Sequence, residues 1–259
     1  MENMYFSNST NALRYLRRNG EQIFNGVYRM NDGRLIKRYS RQKSLDRDDE
    51  FCEEKLLDFK DLEIEGVAFT KALVYSTLTK IYATITKYAD GEAINNKLLG
   101  TYNIDDLLLA IKKLETTVRS ISDMGICAVD IYQGNIVYDG RNFTLIDTVE
   151  YKYGDGNISS IYEKNMLSIM NEVFASIFYD GGFGCVYRIH KFFSLCDSPY
   201  EALNRKEYLM NPYETLVNIR KLMEDEFGLN IKTFSQSYNL MDNVINRKTK
   251  IRQISSVRI

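Results

Sequence analysis

DIYQGNIVYDGRNFTLID, residues 130–147, places an acidic residue at each end, Asp130 and Asp147, with an amide, Asn135, five positions after the first. Between Asn135 and Asp147 lie a short apolar run (Ile136, Val137, Tyr138), an Asp139-Gly140 pair, and a second run (Phe143, Thr144, Leu145, Ile146). Asp-Gly between β-type residues is a strong short-range hairpin signal. The stretch therefore reads as a hairpin that is expected to bring Asn135 and Asp147 close together. Upstream, Asn103 opens a run in which Ile104, Leu107, Leu108, Ile111, Leu114, Val118 and Ile121 recur at helical spacing until Gly125. Such a helix makes a rigid floor from which residues 126–129 deliver Asp130.

Phosphoryl transfer from a nucleotide needs this kind of set: one carboxylate to orient the attacking hydroxyl, and an amide plus a second carboxylate to hold magnesium on the phosphates. The stretch resembles the catalytic loop and metal-binding segment of the protein kinase-like superfamily, which includes protein kinases and small-molecule phosphotransferases. The resemblance implies an α+β, two-lobed protein kinase-like fold. Residues 1–89 would form a small β-rich lobe with one helix, residues 90–259 a larger helical lobe, and a nucleotide cleft would lie between them. It also implies ATP and Mg2+, with Asp130 as the catalytic carboxylate and Asn135 and Asp147 as metal ligands.

Further residues fit the resemblance. Asn31-Asp32-Gly33 separates two apolar-rich segments, and alternation on the second puts Leu35, Lys37 and Tyr39 on one face. Lys37 resembles the family's lysine that contacts nucleotide phosphates. Gly20 and Gly26 stand where the family carries a glycine-rich phosphate loop, although only Gly26-Val27-Tyr28 is similar to the end of that motif. Ser44 followed by Asp46, Asp48, Asp49 and Glu50 reads as the capped start of a helix, and Glu53 matches the family's helix glutamate that pairs with the strand lysine. Val67 to Tyr88 reads as two strands with a break around Ser76 to Lys80. The chain end of this strand pair, Ile81 to Tyr88 running into Ala89, resembles the family's hinge, with backbone near Lys87 and Ala89 for adenine and Thr86 at the inner edge of the pocket. Each of these residues also has a plainer reading, as a solvated side chain or an ordinary turn.

The departures from the family pattern narrow the function. Ala128 and Val129 stand where histidine and arginine are usual before the catalytic aspartate, Tyr132 replaces the lysine of serine/threonine kinases, and Thr148-Val149 replaces Phe-Gly. Gln133-Gly134-Asn135 is more similar to the small-molecule phosphotransferase loop. Three readings remain open: an active phosphotransferase acting on a hydroxyl of a protein or small molecule, a pseudokinase that binds nucleotide or a partner, and an unrelated α+β interaction protein. Without the arginine before Asp130, an activating phosphate between Asp147 and the Met166 helix would lack its expected cation. We therefore expect no dependence on phosphorylation of that segment.

Composition excludes other classes. Lys plus Arg number 34 against 35 for Asp plus Glu, so no global charge draws the chain to nucleic acid or an acidic membrane. The four cysteines form no Cys-x-x-Cys pair and there is one histidine, His190, which argues against structural zinc and a disulfide framework. The start MENMYFSNST lacks the basic and apolar regions of a secretory signal, and no apolar run has bilayer-spanning length. A cytoplasmic protein is expected. Gly181-Gly182-Phe183-Gly184 resembles a phosphate loop in composition, but it follows both proposed metal ligands and a helix, so that role is not assigned to it.

Overall fold

The computed structural model describes residues 1–39, 53–77, 80–95, 99–178, 191–195 and 205–256. The expected helix start at Ser44, the Gly181–Gly184 stretch and His190 lie outside them. The chain is α+β and divides into two compact units: Met1–Asp90 together with Thr144–Tyr151, and Gly91–Phe143 together with Lys152–Ile259.

The first unit is built on a six-stranded sheet. Its strands are β1 (Met4–Tyr5), β2 (Gly20–Phe24), β3 (Val27–Met30), β4 (Arg34–Arg38), β5 (Thr70–Thr77) and β6 (Lys80–Lys87), in the order β1-β5-β6-β4-β3-β2. Neighbours are antiparallel except β1, which runs parallel to β5. Turns with positive φ at Gly26 and Gly33 close the β2–β3 and β3–β4 hairpins, a conformation glycine adopts without strain. Strand alternation places Tyr28, Met30 and Ile36 inward. They pack with Val74, Ile85 and Leu16, the last from helix α1 (Ser9–Asn19), which covers one face of the sheet. The Asn8 side chain caps α1 by accepting from the Asn11 N–H at 2.9 Å, and Arg17 and Arg18 complement the dipole in its last turn. The short helix α2 (Glu53–Leu56) packs through Leu56 against Leu73 and Tyr75 of β5.

Thr144–Tyr151, which a single boundary at residue 89 assigns to the second part of the chain, belongs to the first unit. The Leu145 N–H donates to the Gly66 carbonyl at 2.8 Å and the Leu145 carbonyl accepts from the Ala68 N–H at 2.9 Å. Val149 packs on the Leu56–Leu73–Tyr75 cluster, and the Tyr151 ring meets Phe69 edge-on.

The second unit is mostly helical. Helix α3 (Ile104–Asp123) starts as expected at Asn103, whose side-chain oxygen accepts from the Asp105 and Asp106 amides at 2.8 and 3.3 Å. Preceding it is the short strand β7 (Glu92–Ala93), antiparallel to β9 (Ile136–Tyr138). After α3 come β8 (Ile126–Cys127) and a turn at Asp139–Asn142 that reverses the chain between β9 and β10 (Phe143–Leu145). Strand β11 (Lys152–Tyr153) lies antiparallel to β8, and Asn157 caps α4 (Ile158–Phe178) through the Ser160 amide at 2.8 Å. The apolar helix expected around Met166 thus begins at Ile158, earlier than its periodicity suggested, because Ile161 is also buried. The unit also holds helices α5 (Arg205–Met210), α6 (Pro212–Phe227) and α7 (Phe234–Ser256). Among the described residues, no helix is long and apolar enough to cross a membrane.

Candidate functional site

Within the first unit, Lys37 stands on β4 with Val27 and Thr84 as its cross-strand partners. Its ammonium forms an ion pair with Oδ2 of Asp147, a residue 110 positions away in sequence. The pair is partly screened: the Lys37 side chain is 42% exposed and that of Asp147 18%. Asp147 is held by its flanks. Leu145 is bonded on both sides, and the Thr148 hydroxyl donates to the Ala68 carbonyl at 3.2 Å. Asp147 itself takes the left-handed conformation, with φ 56° and ψ 48°, at the head of a 3-10 turn over Thr148–Glu150. Two phenols sense this carboxylate. Burial, reinforced by the negative charge of Asp147, raises the pKa of Tyr39 and of Tyr151.

The remaining first-unit candidates have distinct settings. Gly26 and Val27 lie beside the Lys37 strand: Val27 is its ladder partner, and the Gly26 carbonyl accepts from the Arg38 N–H at 2.7 Å. Thr86 is half-buried opposite Leu35, whereas Lys87 is exposed opposite Arg34. The Tyr88 N–H donates to the Gly33 carbonyl at 3.1 Å, so Ala89 is where the chain leaves the ladder. Glu53 is exposed on α2, and the ion pair of Lys37 is with Asp147 instead of with Glu53. Burial, with the nearby Glu53 carboxylate second, raises the pKa of Tyr75. The reason for this placement is that α2 is anchored by Leu56 over β5, which sets Glu53 beside Tyr75.

In the second unit, Asp130 also adopts a left-handed backbone, with φ 56°. Asn135 is buried and its side-chain amide donates to the Asp130 carbonyl at 2.9 Å, closing the loop from below. The Asn135 N–H donates to the Tyr132 carbonyl at 2.8 Å, which tightens the same turn. Because the amide nitrogen is engaged, the Asn135 oxygen is the atom left to meet a cation.

Sequence reading missed the residue that anchors this loop. Asn165, on α4 and 1% exposed, accepts from the Ala128 N–H at 2.9 Å, and its amide donates to the Ser122 hydroxyl and the Ile126 carbonyl, both at 2.9 Å. One side chain thereby ties the end of α3, strand β8 and the residue two before Asp130. The available signal was an asparagine in an otherwise apolar helical face, since a buried amide is retained only where its hydrogen bonds are met.

The donor types fit a hard divalent cation. Asp147, in the first unit, carries a carboxylate and Asn135, in the second, an amide oxygen, both hard oxygen donors. Among the described residues, no group of three or more His, Cys, Asp or Glu side chains is placed to hold a metal ion.

No protein-family model matches the chain, and no curated protein does. Among solved structures, the chain is similar to a chain of the yeast RNA Pol II CTD kinase CTDK-1 complex, with a TM-score of 0.48 and 14% identity over 70% of this chain and 73% of that one.

Proposed function

We propose that this chain is an ATP-dependent phosphotransferase that moves the γ-phosphate to a hydroxyl. The observation that carries the reading is backbone strain at two acidic residues. Among the described residues, Asp130 and Asp147 are the non-glycine residues with positive φ. A left-handed conformation costs an L-residue about 1–2 kcal/mol, less for Asp than for most, and such strain concentrates where a side chain must be aimed. Phosphoryl transfer would use a carboxylate at each of these two positions.

Asp130 accepts the proton of the acceptor hydroxyl as its oxygen forms a bond to the γ-phosphorus; the bond from that phosphorus to the bridging oxygen breaks and ADP leaves. Lys37 neutralises phosphate charge, exchanging its Asp147 partner for the nucleotide. Asp147 and Asn135 would hold magnesium, which supplies charge neutralisation on the transferred phosphoryl group. Gly26 and Val27 cover phosphate, while Thr86 and the backbone at Lys87 and Ala89 receive the base.

The test is magnesium-dependent ATP turnover with a panel of hydroxyl compounds and peptides, alongside nucleotide binding measured by thermal shift. Asp147→Asn should weaken magnesium-nucleotide binding, and Asp130→Asn should chiefly lower kcat. Binding without turnover toward any acceptor would favour the pseudokinase alternative. Equal loss of binding in both variants, with the fold intact, would refute the assigned roles.

A further inference from the structure

Of the two phenols that Asp147 influences, Tyr151 is tied to it through a single turn of chain. Asp147 and Tyr151 cap the two ends of the 3-10 turn over Thr148–Glu150, and the Tyr151 N–H donates to the Thr148 carbonyl at 3.1 Å. Four steps at about 2 Å of rise set the caps roughly 8 Å apart, within the joint reach of a phenol and a carboxylate side chain. Both residues lie in the first unit, as does Lys37. Tyr151 is 5% exposed, and its ring meets Phe69 edge-on with centroids 6.4 Å apart. Its hydroxyl is buried and, among the described residues, has no hydrogen-bond partner. Burial, with the charge of Asp147 second, raises the phenol's pKa, so the oxygen keeps its proton and feels the carboxylate.

A buried hydroxyl without a partner is rare in folded proteins and calls for a reason. Phenylalanine would supply the same ring against Phe69, so packing does not account for the oxygen. Asp147 supplies a reason. Among the described residues, the side chain bonded to it is Lys37, through Oδ2. A carboxylate has about four acceptor sites on its two oxygens. Once phosphate draws Lys37 away, Asp147 loses that partner and needs another donor to stay aimed.

We propose that Tyr151 is a positioning residue for Asp147: when Lys37 turns to phosphate, the Tyr151 hydroxyl donates to one carboxylate oxygen and leaves the other to face the cation. This deepens the phosphotransferase reading and rests on it. A donor that orients a metal-binding carboxylate is worth about 10–100-fold in metal affinity when it is removed.

Tyr151→Phe removes the oxygen and keeps the ring. The full chain is followed by thermal unfolding without ligand, then by thermal-shift titration with ATP in magnesium and with ATP in EDTA. Without ligand, Tyr151→Phe should unfold at or above the parent's Tm, because no hydrogen bond is lost. Its affinity for Mg·ATP should fall about tenfold, and its affinity for ATP in EDTA should not change. In an Asp147→Asn background, Tyr151→Phe should cause no further loss, since the two act through one carboxylate. Tyr138→Phe makes the same change at another buried phenol without a partner among the described residues, whose charged neighbours are Asp106 and Asp139. It should leave Mg·ATP affinity at the parent's value. The proposal is overturned if Tyr151→Phe leaves Mg·ATP affinity unmoved, lowers ATP affinity equally in EDTA, or does no more than Tyr138→Phe. A ligand-free Tm well below the parent's would overturn it too, by showing that the oxygen already serves the fold. If the parent is stabilised by Mg·ATP in a Lys37-dependent way and Tyr151→Phe behaves identically, the positioning role is wrong while nucleotide binding stands. If the parent is not stabilised at all, the phosphotransferase reading falls and this inference with it.

Discussion

Replacing Asn165 by leucine preserves roughly the volume of a buried side chain and removes the three hydrogen bonds that fasten the Asp130 loop to α4. The Ser122 hydroxyl keeps a partner, because it also donates to the Val118 carbonyl at 2.7 Å. That leaves the Ala128 N–H and the Ile126 carbonyl without the side chain that served them. Each buried group left unsatisfied costs about 1–3 kcal/mol, so the expected loss is about 2–6 kcal/mol, a large share of a typical domain's stability of roughly 5–15 kcal/mol. Asn165→Asp should lie between, since it can still accept from Ala128 but sets a carboxylate oxygen against the Ile126 carbonyl. Urea unfolding measures the total, and hydrogen exchange of the Ala128 amide reports the loop directly. If the leucine variant unfolds within about 1 kcal/mol of the parent and the Ala128 amide keeps its protection, the clamp does not hold the loop. Where the variants remain folded, kcat should fall, because the Ala128 amide that the clamp holds lies two residues before Asp130.

Other outcomes follow from single elements. Leu16→Ala, at a fully buried position where α1 meets the sheet, should destabilise by about 2–5 kcal/mol in thermal or urea unfolding. Burial holds the Glu115 carboxyl above its ordinary value of 4.5, against the opposing hydrogen bond from the Tyr213 amide. The folded chain then binds that proton more tightly than the unfolded one, so this contribution to stability falls as pH rises from 4.5 through the raised folded value. Glu115→Gln should flatten that slope and raise stability at neutral pH, and an unchanged slope would count against it. Phosphatase treatment, or a Ser159→Ala, Ser160→Ala variant, should leave phosphoryl transfer unchanged. Val129 supplies no cation for a phosphate, and the residues between Asp147 and α4 are already tied down. Activity that disappears on dephosphorylation and returns with phosphate on this segment would refute that expectation.

Features set by neighbouring residues were legible in the sequence. The Asp139-Gly140 turn forms with the Asp139 carboxylate accepting from the Arg141 and Asn142 amides, both at 2.7 Å, and the Asn103 cap opens α3 where its periodicity begins. Strands β5 and β6 likewise fall where branched and aromatic residues cluster, because the information for a turn, a cap or an alternating face lies within a few positions. Asp130, Asn135 and Asp147 could be singled out as candidates for the same reason, from their spacing around the Asp139-Gly140 turn. Their partners could not. The Lys37–Asp147 pair joins residues 110 positions apart, and Glu53 sits beside Tyr75 because Leu56 anchors its helix over β5. Asn165 became visible as the anchor of the loop only once α4 was packed against β8. The sequence by itself determined which local elements and which chemical groups this protein has. Tertiary structure decided which groups meet, because burial and hydrogen-bond satisfaction are properties of packed surfaces drawn from distant parts of the chain.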